Sequence, residues 1–322
     1  MKHLSKYEVV RSIVKVLYIP FGFSGILIGS FVLFIFIKYR KNFSNSKSQK
    51  LILCLAIVNT LSSMIYGIEN YWRNSKTSES IHICGIYDIL LAIFIESRVI
   101  LWFLLYFSNH IVMIISIERY MIVCHTIFYH KYISLKHYVV VLINCALISG
   151  FLSLQNTIIT LTNHGNLLIG PNFSNDNFTI GVMYGLLIFI IVFILPMIIH
   201  MFCYHSILSK FKILSNIHKT EKQIIAGNAN WRFVDHSMTK QSEHIRKNIS
   251  KFVMLMCSVY FILWLPINIV LLFSYFKVVV YIDPTYYQIC LFCVYFNTLL
   301  NTLTYVFSSN EFKYCVFKFM SL

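Results

Sequence analysis

The fold class predicted is an all-α membrane protein, a seven-transmembrane helix bundle with a short amphipathic helix after the seventh span. Three observations predict it. The chain is 58% hydrophobic and 12% charged over 322 residues, at a mean hydropathy of +0.71, outside the range of ordinary soluble domains. Seven stretches are free of charge over near or above the roughly 20 residues that cross hydrocarbon, and backbone polar groups in lipid must be satisfied within the segment, which selects helices. The basic residues are also distributed by side. With the amino terminus outside, the inner segments and helix ends hold 19 of the 27 Lys and Arg, as expected if Lys and Arg resist translocation. The pI of 9.4 therefore reads as topology and not as nucleic-acid binding.

The elements follow in order, in one domain over 1–322 with spans near 16–37, 51–71, 91–123, 138–161, 180–208, 250–276 and 285–309. The first span follows Lys2, Lys6, Arg11 and Lys15, nearly matching the bases on its far side, so the later loops must settle the orientation. Met1 to Val10 lacks a signal-peptide core, and the first span is expected to act as an uncleaved anchor. The second span carries Asn59, and the third ends on Glu118-Arg119-Tyr120. Between spans four and five, an outer loop presents Asn172-Phe173-Ser174 and Asn177-Phe178-Thr179, two glycosylation acceptors. The same triplet at Asn42 and Asn248 falls on the inner side and is expected to stay unmodified. Span five contains Pro196. The basic loop 209–250 that follows reads as a surface for anionic lipid and a docking surface for an intracellular protein. Span six contains Trp264 and Pro266. After span seven, the predicted surface helix 311–320 places Phe312, Val316 and Phe319 at i, i+4 and i+7. Cys315 on it is a candidate for S-palmitoylation, with an unmodified cytosolic thiol as the alternative. The nine cysteines show no zinc spacing, and no metal or cofactor is expected.

Glu118-Arg119-Tyr120 alone is a weak signal, since an acid beside Arg at a helix end also serves as an interfacial anchor. Four further matches accompany it: Pro196 with Tyr204 eight residues later, Phe261-Ile262-Leu263-Trp264-Leu265-Pro266, Asn301-Thr302-Leu303-Thr304-Tyr305, and Phe312 seven residues after that Tyr. In order and spacing they resemble the rhodopsin-like (class A) G-protein-coupled receptors over nearly the whole chain. The resemblance implies a plasma-membrane receptor that binds an extracellular ligand and activates a heterotrimeric G protein by outward movement of helix six. It also implies that Glu118, Arg119, Tyr120, Tyr204, Asn301 and Tyr305 form the activation switch, with Arg119 paired to Glu118 at rest. Pro196, Tyr260, Trp264 and Pro266 would transmit the signal, since a proline breaks a helical hydrogen bond and allows bending.

Departures from the family pattern shape the expectations. Arg246 stands where many relatives place an acid against the switch Arg, so the resting state should be less restrained. Asn59 replaces the usual Asp, with Ser108, Asn297 and Asn301 as expected neighbours; without a carboxylate, a neutral hydrogen-bond network is expected in place of a sodium site. Thr302 replaces Pro, and Tyr260 replaces Phe. The usual outer disulfide has no matching pair; Cys84 is left either unpaired or within reach of Cys290.

The ligand pocket is expected above Trp264, lined by Leu101, Trp102, Asn268, Tyr287 and Tyr295, with Glu69, Glu96 and Arg98 near its rim. Leu101 in place of an ammonium-binding acid disfavours small amines, and a seventh span without Lys excludes a retinal Schiff base. The cavity suits a peptide with a basic residue or a lipid with a polar head, and the two acids favour the peptide. Mutual salt bridges among Glu69, Glu96 and Arg98 are the structural alternative. A seven-helix channel or transporter would need charged or broken segments along a midplane path. An intramembrane enzyme would need a catalytic motif of a kind the chain does not contain.

Overall fold

The computed structural model describes residues 6–43, 47–75, 94, 97–162, 178–227, 255, 258–276, 284–308 and 310–321, and all of their regular structure is helical. In chain order the helices are α1 (Lys6–Lys38), α2 (Arg40–Phe43), α3 (Lys47–Ser75), α4 (Val99–Cys124), α5 (Thr126–Tyr132), α6 (Leu135–Thr162) and α7 (Phe178–Ile188). A π-helical segment, Phe189–Ile194, joins α7 to α8 (Leu195–Gly227). Then come α9 (Ser258–Tyr275), α10 (Pro284–Ser308) and α11 (Asn310–Met320). Spans one to seven are α1, α3, α4, α6, α7 with α8, α9 and α10; α11 is the surface helix.

Six of these helices are long and apolar enough to cross a membrane by length and composition. The seventh, α10, has 25 residues, about 37 Å at 1.5 Å each, and is also long enough. Its hydropathy is lowered by Asn297, Thr298, Asn301 and Thr302, all buried inside the bundle, so the polar content faces protein and not lipid. The converse holds on span four. Val139, Val140, Ile143, Leu147 and Phe151 are exposed, and such an apolar outer face is stable only in hydrocarbon.

Two buried clusters hold the bundle together. The inner one gathers Ile35, Leu55, Ile111, Ile115 and Ile207 with Phe312 and Cys315 of α11. The outer one gathers Leu101, Leu105, Tyr106, Ile188, Val192, Trp264 and Tyr295. Phe312 packs against Phe36 at 5.7 Å and Phe43 at 6.5 Å, and Phe319 against Phe34 at 5.6 Å, which seats α11 on the end of α1. This docking buries Cys315.

Three further observations concern boundaries and pairing. α4 begins at Val99, after Arg98 in the left-handed region at φ 53, which interrupts the helix there; of the expected start of span three, 91–93, 95 and 96 lie outside the described residues. Span five's helix continues to Gly227, well past the apolar run that marks it in the sequence. Cys290 is buried and in no disulfide. Cys84, Glu96, Asn172, Asn177, Arg246 and the side chain of Tyr305 lie outside the described residues.

Candidate functional site

At the inner end of span three, Glu118 is almost fully buried and its carboxylate accepts three hydroxyls. Ser48 donates at 2.7 Å to one oxygen; Tyr129 and Tyr138 donate at 2.9 and 3.1 Å to the other. These donors come from α3, α5 and α6, so the carboxylate ties three elements to span three. The expected pairing with Arg119 is replaced by this hydroxyl cage. Adjacent helical residues point about 100° apart, so with Glu118 aimed at α3 and α6, Arg119 stays on the partly exposed flank. Burial pushes the Tyr129 phenol up to about 12, so it remains a protonated donor at any physiological pH. Tyr120 bonds His125 at 3.0 Å and packs on Phe202 at 5.4 Å, and Tyr204 is partly buried against the inner cluster.

Near mid-membrane, Asn59 links three spans. Ser108 donates to its Oδ1 at 2.6 Å, while its Nδ2 donates to the Thr298 carbonyl at 3.0 Å and to Thr302 Oγ1 at 2.8 Å. Ser108 is thus the neighbour expected, and Thr302 supplies an acceptor in its own right. Asn297 and Asn301 are buried nearby, and their Oδ1 atoms have no hydrogen-bond partner. An amide that turns its donor toward span seven presents hydrogens, not lone pairs, to that side.

Span five shows how one missing N–H is reused. Pro196 cannot donate to the carbonyl four residues before it, that of Val192. The chain responds with the π-helical segment, in which Leu195 N–H reaches back to Ile190 O. The Val192 carbonyl is taken instead by side chains of two other spans. Asn109 of span three donates to it at 3.1 Å, and the Tyr260 hydroxyl of span six donates to it as well. Four residues beyond Pro196, His200 bonds Ser116 at 2.9 Å while Ser116 donates to Val112 O at 3.2 Å. With the Ser116 hydrogen on Val112 O, His200 donates from Nδ1 to the Ser116 oxygen. Spans three, five and six are therefore joined by polar contacts beneath Trp264, within an apolar core.

The family model described as 7 transmembrane receptor (rhodopsin family) matches residues 29–305. The chain belongs to that family. It is a rhodopsin-like, multi-pass membrane receptor.

In the receptor's outer half, rings step inward along spans three and six. Trp102 lies 5.3 Å from Tyr106, Tyr106 6.2 Å from Trp264, Trp264 5.9 Å from Tyr260, and Tyr260 5.6 Å from His200. Leu101, Trp102 and Trp264 are buried. Asn268 donates to the Trp264 carbonyl at 2.8 Å, one turn back across Pro266. Arg98 is buried and donates to Asn70 at 3.3 Å, and its Nε and Nη1 have no hydrogen-bond partner among the described residues. Glu69 is buried too, and Tyr287 partly so. Tyr295 departs from its expected role. It is fully buried, stacked on Tyr66 at 4.2 Å, and its hydroxyl donates to Phe21 O at 3.1 Å, so it joins spans one, two and seven.

Sequence reasoning missed Ser48, Asn109, Ser116, Tyr129, Tyr138 and His200. A usable signal existed for three of them. Asn109 and Ser116 are seven apart in an apolar run, hence on one face of span three, and His200 lies one turn after the proline of the facing span.

Proposed function

We propose that this receptor sits in the plasma membrane with its amino terminus outside, binds an extracellular ligand above Trp264, and activates a heterotrimeric G protein when span six swings outward. Arg119 would then meet the G protein, with Tyr204 and Tyr305 closing in to support it. The observation that carries the reading is the shared Val192 carbonyl. Asn109 and Tyr260 both depend on span five at that atom, so span six cannot move outward without releasing a hydrogen bond. The ring series from Trp102 to His200 supplies contiguous packing between pocket and latch, a spatial argument for coupling.

A peptide ligand with a basic residue is favoured, because Glu69 is buried at the outer end of span two and Glu96 precedes span three. A lipid with a polar head is the second reading, and Arg98 Nε and Nη1, which have no hydrogen-bond partner among the described residues, support it. Arg246 at the foot of span six, like-charged with Arg119, favours basal activity, which the Tyr260 bond opposes.

The test is nucleotide exchange by an added heterotrimeric G protein in membranes containing the chain. Basal exchange above chain-free membranes is expected; ion current or hydrolysis without any exchange would assign the bundle to another class.

A further inference from the structure

Span four carries on its outer face a seam with a seven-residue period. In α6, Val140, Asn144, Leu147, Phe151 and Leu154 follow one another at steps of four, three, four and three residues, and all five are exposed. Steps of that kind hold side chains on one stripe of a helix, the stripe along which two helices wind together. The same helix turns Cys145, Ser149 and Leu152 into the bundle, so the stripe faces away from the rest of the chain.

Four of the five residues are apolar, and they alone give no reason to pair, because lipid tails are as apolar as they are. Asn144 is different. It lies eight residues beyond Lys136, or about 12 Å along the helix at 1.5 Å per residue, within the roughly 15 Å that half of the hydrocarbon core spans. Its Nδ2 donates to the Val140 carbonyl at 2.9 Å, which uses one of its two hydrogens. The other hydrogen and Oδ1 meet no polar group of the described residues, and there is no water at that depth to take them. Among the described residues, Asn144 is the only exposed amide side chain in a span.

We infer that span four is the contact between two copies of this receptor, paired in parallel about a two-fold axis that passes beside Asn144. An amide carries both a donor and an acceptor, so two amides related by such an axis satisfy each other through a reciprocal pair of hydrogen bonds. Copies inserted alike hold Asn144 at the same depth, which sets the two amides level. Val140, Leu147 and Phe151 then pack on their counterparts, and the amide fixes the register, as a polar residue does at one position of a heptad seam. A partner of different sequence would need its own polar group at this depth, whereas a second copy brings one. The pairing holds whichever side of the membrane the amino terminus takes, so it stands apart from the proposed signalling role.

The experiment reconstitutes full chains carrying donor or acceptor fluorescent proteins into phosphatidylcholine vesicles and follows energy transfer as the protein is diluted with lipid. Transfer by the parent should persist at dilutions where chance proximity has vanished. Asn144→Leu removes two symmetric hydrogen bonds and should shift the half-point by about tenfold toward higher protein density. Asn144→Gln keeps the amide and should lie closer to the parent than to Asn144→Leu. Leu147→Ala should weaken pairing a few-fold, while Leu27→Ala, on the exposed face of span one, should stay within about twofold of the parent. An unchanged thermal midpoint separates lost pairing from lost folding. A parent that is monomeric at every dilution would leave the seam to lipid or to a different membrane protein and overturn the assignment. Undiminished pairing in Asn144→Leu, Asn144→Gln behaving as Asn144→Leu does, or equal loss in Leu27→Ala and Leu147→Ala would also overturn it.

Discussion

Tyr260 and Glu118 each join helices through hydrogen bonds in the receptor's buried interior. The Tyr260 hydroxyl replaces a helical bond that Pro196 cannot make, and a hydrogen bond of this kind contributes about 1 kcal/mol net. Tyr260→Phe keeps the ring and its packing on Trp264 but releases span six from span five. Basal nucleotide exchange at matched surface density should rise about fivefold, the ratio that 1 kcal/mol sets; a fall would mean that the bond favours the active state. Glu118 poses a different problem, since a buried carboxylate is tolerable only while its hydroxyl donors remain. Hydrogen bonds to a charged group are worth roughly 1.5–3 kcal/mol. Tyr129→Phe and Tyr138→Phe, which donate to the same oxygen, should each lower the thermal midpoint. Their effects should be non-additive in a double-mutant cycle, because the second donor partly compensates for the first.

At the level of elements, close packing is decided at a few backbone positions. A Cβ at Gly185 would overlap the Tyr275 ring, so spans five and six approach there only because the side chain is absent. Gly67 on span two meets nothing within 4 Å of its added Cβ. Gly185→Ala should therefore destabilise by roughly 1–3 kcal/mol, the usual cost of overpacking, while Gly67→Ala leaves the thermal midpoint near the parent's or slightly higher. The elements themselves were largely legible. Charge-free length locates the spans because lipid tolerates nothing else, and the amphipathic stripe of 311–320 locates α11. What was not legible depends on which face a residue presents after packing. Cys315 shares its helix with exposed Tyr314 and Phe317, and only docking on α1 turns it inward. Glu118 beside Arg119 reads as a pair until α3, α5 and α6 bring three hydroxyls to it. The π-helical segment has no composition of its own; it follows from Pro196 and from two polar side chains distant in sequence.

For the whole molecule, orientation and activation are the two properties on which everything else depends. If the amino terminus is outside, glycosidase treatment should shift the mass of the parent but not of an Asn172→Gln, Asn177→Gln variant, and Asn42→Gln or Asn248→Gln should leave the shift intact. The reverse pattern would invert the bundle and place the basic loops outside. In the proposed mechanism, spans three, five and six form a two-state device, latched at the Val192 carbonyl and read out at Arg119. Its most direct test is G-protein nucleotide exchange in vesicles by the parent, Tyr260→Phe, Arg119→Ala and the double variant, at equal receptor density. Exchange should rise in Tyr260→Phe and fall to the receptor-free level in both Arg119→Ala and the double variant, since releasing the latch is useless without the group it exposes. Undiminished exchange in the double variant would show that activation does not pass through Arg119 and would contradict the account.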